Sequence, residues 1–128
     1  MDEPIKILMI EDDPFFSRLC IRALEDAGFI VSLAGDGEKG LERLESEDPD
    51  LILLDIILPK MNGFEVLTEI RQHADSRIAK KPVIILSNLY AREEEEKGRQ
   101  LRASDYLIKA NTNSDELIDK INRVLKRR

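Results

Sequence analysis

In this chain reactive polar residues repeatedly stand directly behind apolar runs. KILMI, Lys6 to Ile10, leads into Glu11 and Asp12; LILL leads into Asp55; VIIL leads into Ser87; Tyr106 to Ile108 leads into Lys109. Asp55 poses the sharpest question, since it interrupts an otherwise apolar stretch and an unpaired carboxylate is costly to bury. Clustered carboxylates repel unless a cation joins them. Oxygen-only ligands on short turns suit a hard ion such as Mg²⁺, which keeps several waters and binds through a few carboxylates plus a phosphate. No cysteine or histidine lies nearby in sequence to compete, so Asp55 is the candidate nucleophile as well as a candidate ligand. A carboxylate that attacks a phosphoryl group becomes an aspartyl phosphate, a reaction that needs mostly positioning and charge neutralisation. Mg²⁺, Lys109 and Ser87 would supply both at the equatorial oxygens.

The elements behind these residues read as a parallel α/β sheet. Apolar runs of strand length recur at Ile5 to Ile10, Phe29 to Leu33, Leu51 to Leu54, Val83 to Leu86 and Tyr106 to Ile108, with a helix-like segment between each pair. Strands this continuously apolar are covered on both faces. Ligands of such sheets bind outside the carboxyl ends of the strands, where the strand order reverses, and every polar residue named above falls on that edge. The first helix is expected to start with Asp13 as N-cap and Pro14 at N1, to carry Phe15, Phe16, Leu19, Cys20, Ala23 and Leu24 on its apolar face, and to stop at Gly28. As a cap, Asp13 is left out of the site. The last helix has Asn113 and Glu116 in capping-box spacing, an apolar face from Leu117 to Leu125, and Lys126, Arg127 and Arg128 at its negative end. The helix over 91–100 differs. It is nearly all polar, a solvated face with Glu93–Lys97 and Glu95–Arg99 at i,i+4, and its weak apolar grip would let it shift.

Composition narrows the function classes. The 128 residues suit one domain, 1–128, and a formal charge of −6 gives no footprint for nucleic acid, which the closing KRR does not alter. Cys20, the one cysteine, sits in the apolar phase of a helix, which excludes an internal disulfide or thiolate metal site and suits a reducing cytoplasm. No apolar run approaches a membrane span. His73 reads as a surface side chain. GDGEKG, Gly35 to Gly40, matches G-x-G-x-x-G, making a fragment of a dinucleotide-binding domain the alternative. Against it, Asp36 and Glu38 would face the pyrophosphate and the motif follows the second strand, so a turn capped by Asp36 is the better reading.

Taken together, ILMIEDDP, LILLDIILPKMNGFE, VIILSN and SDYLIKA resemble the response regulator receiver domain of two-component signalling, in its stand-alone, chemotaxis-regulator form. The resemblance covers nearly the whole chain. It implies a flavodoxin-like, doubly wound five-stranded parallel sheet in order 2-1-3-4-5 with five helices. It further implies that Glu11 and Asp12 are the acidic pair, Asp55 the phosphoacceptor and Mg²⁺ ligand, the Ile57 backbone carbonyl a further ligand, Ser87 the switch hydroxyl, Tyr106 the switch aromatic, and Lys109 the phosphate contact. The implied phosphodonor is a sensor histidine kinase or histidine phosphotransfer protein. Output would run through the face made by the helix over 91–100, the fifth strand and the last helix, to a downstream protein target or a homodimer, with no direct contact to nucleic acid or membrane. Such a domain accepts its own phosphoryl group and is no turnover enzyme; an aspartyl-phosphate hydrolase would want a second acid where Ile57 stands. The chain departs from the family pattern at Ala110, where a proline after a cis bond is usual, at Arg102, where a glycine is common, and at Asn88, where a smaller residue follows the switch hydroxyl. With no effector segment after Arg128, a stand-alone protein acting by protein contacts is expected, the other option being a receiver cut from a longer chain.

Overall fold

The computed structural model describes residues 3–88 and 92–126, so Met1, Asp2, Ala91, Arg127 and Arg128 of the sequence reading lie outside the described residues. Strand β1 (Lys6–Ile10) is followed by helix α1 (Pro14–Asp26), β2 (Ile30–Ala34), α2 (Gly37–Glu47), β3 (Leu51–Asp55), α3 (Gly63–Arg71) and α4 (Ser76–Ala79). Then come β4 (Val83–Ser87), α5 (Arg92–Gln100), β5 (Asp105–Ile108), a 3-10 turn (Lys109–Asn111) and α6 (Ser114–Val124). All strand pairs are parallel, in order β2-β1-β3-β4-β5.

Alternation along the buried strands splits the core into two layers. Leu8, Ile10, Ile52, Leu54 and Ile85 meet Leu44 of α2 and Val66, Leu67 and Ile70 of α3. Their neighbours Ile7, Met9, Leu51, Leu53, Ile84 and Leu86 turn to the other face and meet Cys20 and Leu24 of α1 and Leu117 and Ile121 of α6. Each such aliphatic side chain contributes about 1.5–3 kcal/mol on burial, which is why no strand face could stay polar. Register then aligns the strand ends: Ile10 lies opposite Leu54, Asp55 opposite Leu86, and Ser87 opposite Ile108.

Local signals set the helix ends. Asp13 accepts from the amides of Phe15 and Phe16 at 3.0 and 3.3 Å, and Asn113 accepts from Glu116 at 2.9 Å. The reciprocal capping box forms instead at Asn62 and Glu65, at 3.0 and 3.2 Å. Six helices are present among the described residues where five were expected. The extra one, α4, is a single turn capped by Asp75, whose carboxylate accepts from Arg77 N at 2.9 Å, and four residues are too few to display a helical period.

Other expectations also shift. Phe15 and Leu19 are 72% and 57% exposed, so the apolar stripe of α1 is wider than the core it meets. Lys97 stands 4.8 Å from the Phe64 ring centre, while the ion pairs found on α5 run from Arg99 to Glu95 and Glu96. Arg102 takes φ 65, the left-handed conformation for which a glycine is usual at a helix end. No peptide bond among the described residues is cis, so Lys109–Ala110 is trans. Nor is any described helix long and apolar enough to cross a membrane.

Candidate functional site

Because the register is parallel and flush, three strand ends bring carboxylates and an ammonium to one edge. Glu11 leaves β1 with its amide bonded to Ala34 O at 3.0 Å, and one carboxylate oxygen from each of Glu11, Asp12 and Asp55 lies within 4.8 Å of the others. Glu11 and Asp55 are buried while Asp12 is open to solvent. Asp13 stays outside as the cap, and its amide donates to Glu11 Oε2 at 3.1 Å. Lys109 reaches in from the turn after β5, with Nζ 2.5 Å from Glu11 Oε1 and 3.1 Å from Asp55 Oδ2. The loop behind Asp55 is fixed by Gly63, whose amide donates to Ile56 O at 2.7 Å. A Cβ at Gly63 would overlap the Asp55 carbonyl oxygen, so only glycine allows that approach.

Electrostatics follow from two buried carboxylates sharing one ammonium. Burial pushes the Glu11 carboxyl up to about 7, against the lowering effect of Lys109, with the Asp55 charge adding to the rise. Burial works against the Lys109 charge as well, yet Glu11 and Asp55 outweigh it and hold the ammonium above its ordinary value. The side chain of Glu11 is fully enclosed, which is why burial dominates its shift. Glu11 Oε1 is buried, and its partner among the described residues is the Lys109 ammonium. Three carboxylate oxygens within 4.8 Å of one another, one of them on a solvent-open side chain, fit a hard divalent cation. Ile57 is exposed, and among the described residues no backbone donor meets its carbonyl.

Ser87 is buried at the end of β4, two register positions past the Ile85–Tyr106 pair of β4 and β5. Tyr106 is half-buried against the α2–α3 side of the core, and burial raises its phenol above the ordinary range, with Ser87 opposing and Glu94 and Glu95 adding to the rise. The two residues expected to form the switch lie on neighbouring strands. His73 lies past the far end of α3, with Nε2 2.8 Å from Glu45 and Nδ1 accepting from Asp75 N at 3.0 Å, away from the acidic edge.

Two residues at this edge escaped the sequence reading. Phe16 places its ring centre 4.7 Å from Lys109 Nζ, and Lys60, at φ 69, holds Asp36 and Glu38 at 3.8 and 3.9 Å. Helical spacing marked Phe16 as apolar but carried no sign of a cation above it. The dinucleotide alternative fails on geometry. In GDGEKG, Asp36 caps α2 by accepting from Lys39 N at 2.8 Å. A Cβ at Gly37 would stand 2.7 Å from Val66 Cγ2, and one at Gly40 would overlap Ile10. Those glycines serve helix packing rather than a phosphate.

Comparison with known proteins agrees with this edge. A sequence profile described as the response regulator receiver domain matches residues 7–122. The DNA-binding dual master transcriptional regulator RpaA of Synechocystis is 38% identical over 122 residues, which cover 95% of this chain and 49% of RpaA. The chain spans about half the length of the curated relatives it matches. Among solved structures, the chemotaxis response regulator CheY4 of Vibrio cholerae superposes with a TM-score of 0.87 at 27% identity, covering 95% of this chain and 99% of CheY4. The BeF3-activated N-terminal receiver domain of Klebsiella pneumoniae RstA gives a TM-score of 0.87 at 28% identity, covering 95% of this chain and 99% of that domain. With sheet order, acidic edge and sequence in accord over nearly its whole length, the chain belongs to the response regulator receiver domains of two-component signalling.

Proposed function

We propose that Asp55 is the phosphoacceptor of this receiver domain. The observation that carries the reading is the carboxylate of Asp55 itself, held 3.1 Å from Lys109 Nζ with oxygens of Glu11 and Asp12 inside the same 4.8 Å. An Asp55 oxygen attacks the phosphorus of a phosphohistidine on a sensor histidine kinase or histidine phosphotransfer protein. The new P–O bond forms as the P–N bond breaks, and the imidazole nitrogen leaves with the electron pair. Lys109 turns from its carboxylate partners to a phosphoryl oxygen, and Ser87 is one strand position away to donate to another. Glu11, Asp12, Asp55 and the Ile57 carbonyl would hold Mg²⁺, which supplies neutralising charge for the transferring group. The chain keeps the group it accepts and does not turn over substrate; slow loss of the phosphoryl group to water is the only hydrolysis assigned to it.

Output follows from Ser87. Drawn to the phosphoryl group, its hydroxyl moves away from Tyr106, and the aromatic and the weakly gripped α5 readjust. The face of α5, β5 and α6 then meets a downstream protein or a second copy of the chain. RpaA is a DNA-binding regulator, so an attached effector is where nucleic acid would enter; the receiver's own surface has no basic footprint. A buried free Cys20 suits a reducing cytoplasm.

Incubation with a small acyl phosphate donor and Mg²⁺, followed by mass spectrometry of peptides, tests the reading. Modification is expected on Asp55, dependent on the metal and lost in Asp55→Asn. An adduct that persists in Asp55→Asn, or forms only on His73, overturns it.

A further inference from the structure

Lys109 is anchored on two sides. Glu11 and Asp55 draw its ammonium toward the acidic edge, while the ring of Phe16 lies beneath it, 4.7 Å from Nζ to the ring centre. Behind that ring is a cavity of about 370 Å³ between α1 and α6, walled by Cys20, Leu86, Leu107 and Leu117 and sharing Phe16 and Lys109 with the phosphorylation edge. A lysine on a flexible four-carbon stem would otherwise have that space to swing into or to be hydrated from. Yet its side chain is only 7% exposed. The cavity and the acidic edge also share a field: Cys20, on the cavity wall, has its thiol pushed up to about 11 by burial and the Glu11 charge, with Lys109 opposing.

We propose that Phe16 is a positioning residue for Lys109: its ring face holds the ammonium over the Asp55 carboxylate and closes the cavity between α1 and α6 against the phosphorylation edge. The inference rests on Lys109 being the phosphate contact. An aromatic face is suited to this because it attracts a desolvated cation through its quadrupole without offering a hydrogen bond that would compete with Asp55 or with a phosphoryl oxygen. It leaves Lys109 free to exchange one anion for another, which a carboxylate at the same place would hinder. Leucine would fill much of the space but lack the field, whereas tyrosine keeps the field.

The test is a double-mutant cycle on the rate of Asp55 phosphorylation by a small acyl phosphate, with Phe16→Leu, Phe16→Tyr, Lys109→Met and the Phe16→Leu/Lys109→Met pair. Thermal melts confirm folding and mass spectrometry confirms the modified residue. Phe16→Leu is expected to slow transfer about three- to tenfold and Phe16→Tyr to restore it, as a partly desolvated cation–π contact allows. Lys109→Met is slower still, and Phe16→Leu adds nothing in that background. A second readout is independent of transfer: the Lys109 side-chain methylene resonances are ring-shifted with Phe16 or Tyr at position 16 and lose that shift with Leu. Equal slowing by Phe16→Leu with and without Lys109, a wild-type rate in Phe16→Leu, or an unshifted Lys109 signal in the native protein each overturns the proposal. Failure of the underlying reading is told apart by Lys109→Met: a wild-type rate there removes the role of Lys109 whatever Phe16 does.

Discussion

Helices α1 and α5 are held to the sheet by opposite means. On α1, Ser17, Cys20 and Leu24 are buried, Phe16 packs beside them, and Asp13 caps the first turn while its amide fixes Glu11. On α5 only Gly98 is buried, the ion pairs of Arg99 are exposed, and the sequence REEEEKGRQ offers no large apolar side chain to the core. Its firmest hold lies just past its end. Arg71 donates to Arg102 O from Nε and Nη2 at 3.2 and 2.8 Å, and its Nη1 donates to Ala79 O at 3.0 Å and Lys81 O at 2.8 Å. One flank is thus part of the core and the other is pinned at one end. A domain that must keep its phosphorylation chemistry fixed while moving its output surface needs that asymmetry.

The largest effect should come from α1. Leu24 is fully buried, and Leu24→Ala should lower unfolding free energy by about 2–5 kcal/mol in urea titration. No single truncation to alanine between Arg92 and Gln100 should approach that. An α5 variant that did would erase the difference between the two flanks.

A pH effect of about 2–3 kcal/mol should belong to Glu11, on the α1 side. Its folded-state carboxyl titrates near 7 against an ordinary 4.5, so the folded protein holds a proton the unfolded chain has released across that window. Stability from this group is therefore greatest below about 4.5 and declines as pH rises toward 7, after which it is flat. The difference in unfolding free energy between the native chain and Glu11→Gln isolates it from other carboxylates. A difference that does not vary between those pH values would show that Glu11 stays ionised throughout.

Arg71 comes next. Burial and the neighbouring Arg102 charge lower its pKa, yet its bonds go to main-chain carbonyls rather than to an acid. Arg71→Ala should cost about 2 kcal/mol, since bonds from a charged donor are worth more than neutral ones. Hydrogen exchange should then rise at the carboxyl end of α5 and in the segment from Ala79 to Lys81, leaving α1 unchanged. Faster exchange in α1 would mean that the two flanks are not independent.

Most of this asymmetry can be read in the sequence, because burial writes itself as unbroken apolar strands and its absence as a run of glutamates. Caps at Asp13, Asp36 and Asn113 were equally plain, since each is a short polar side chain at the start of a periodic stretch. What escaped depends on three-dimensional neighbours. Lys97 turns to Phe64 rather than to Glu93, Phe15 is exposed although it continues an apolar stripe, and Lys109, expected as a phosphate contact, pairs directly with Glu11 and Asp55. Arg71, four hydrogen bonds deep, reads in sequence as an ordinary basic residue near a helix end.

The smallest effect sharpens the comparison most. Gly98 is the residue α5 presses onto the sheet, and a Cβ there would stand 2.8 Å from Ile85 Cδ1 and 3.8 Å from both Ala103 Cβ and Tyr106 Cδ2. Gly98→Ala gains about 0.5–1 kcal/mol from helix propensity, because alanine has less backbone freedom to lose. Against this stands overpacking, which costs typically ~1–3 kcal/mol in a rigid core. Here the obstructing atom is the end of a flexible isoleucine, and α5 has little else to hold it down. The two effects should nearly cancel, leaving stability within about 1 kcal/mol of the native chain. Relief comes from a shift of α5, read as altered Tyr106 ring resonances with unchanged α1 amides. Phosphorylation of Asp55 should keep its rate, since Gly98 touches none of the acidic edge. A loss above ~3 kcal/mol, the scale of a core truncation, would show that α5 is fitted as tightly as α1 and that the asymmetry is only one of composition.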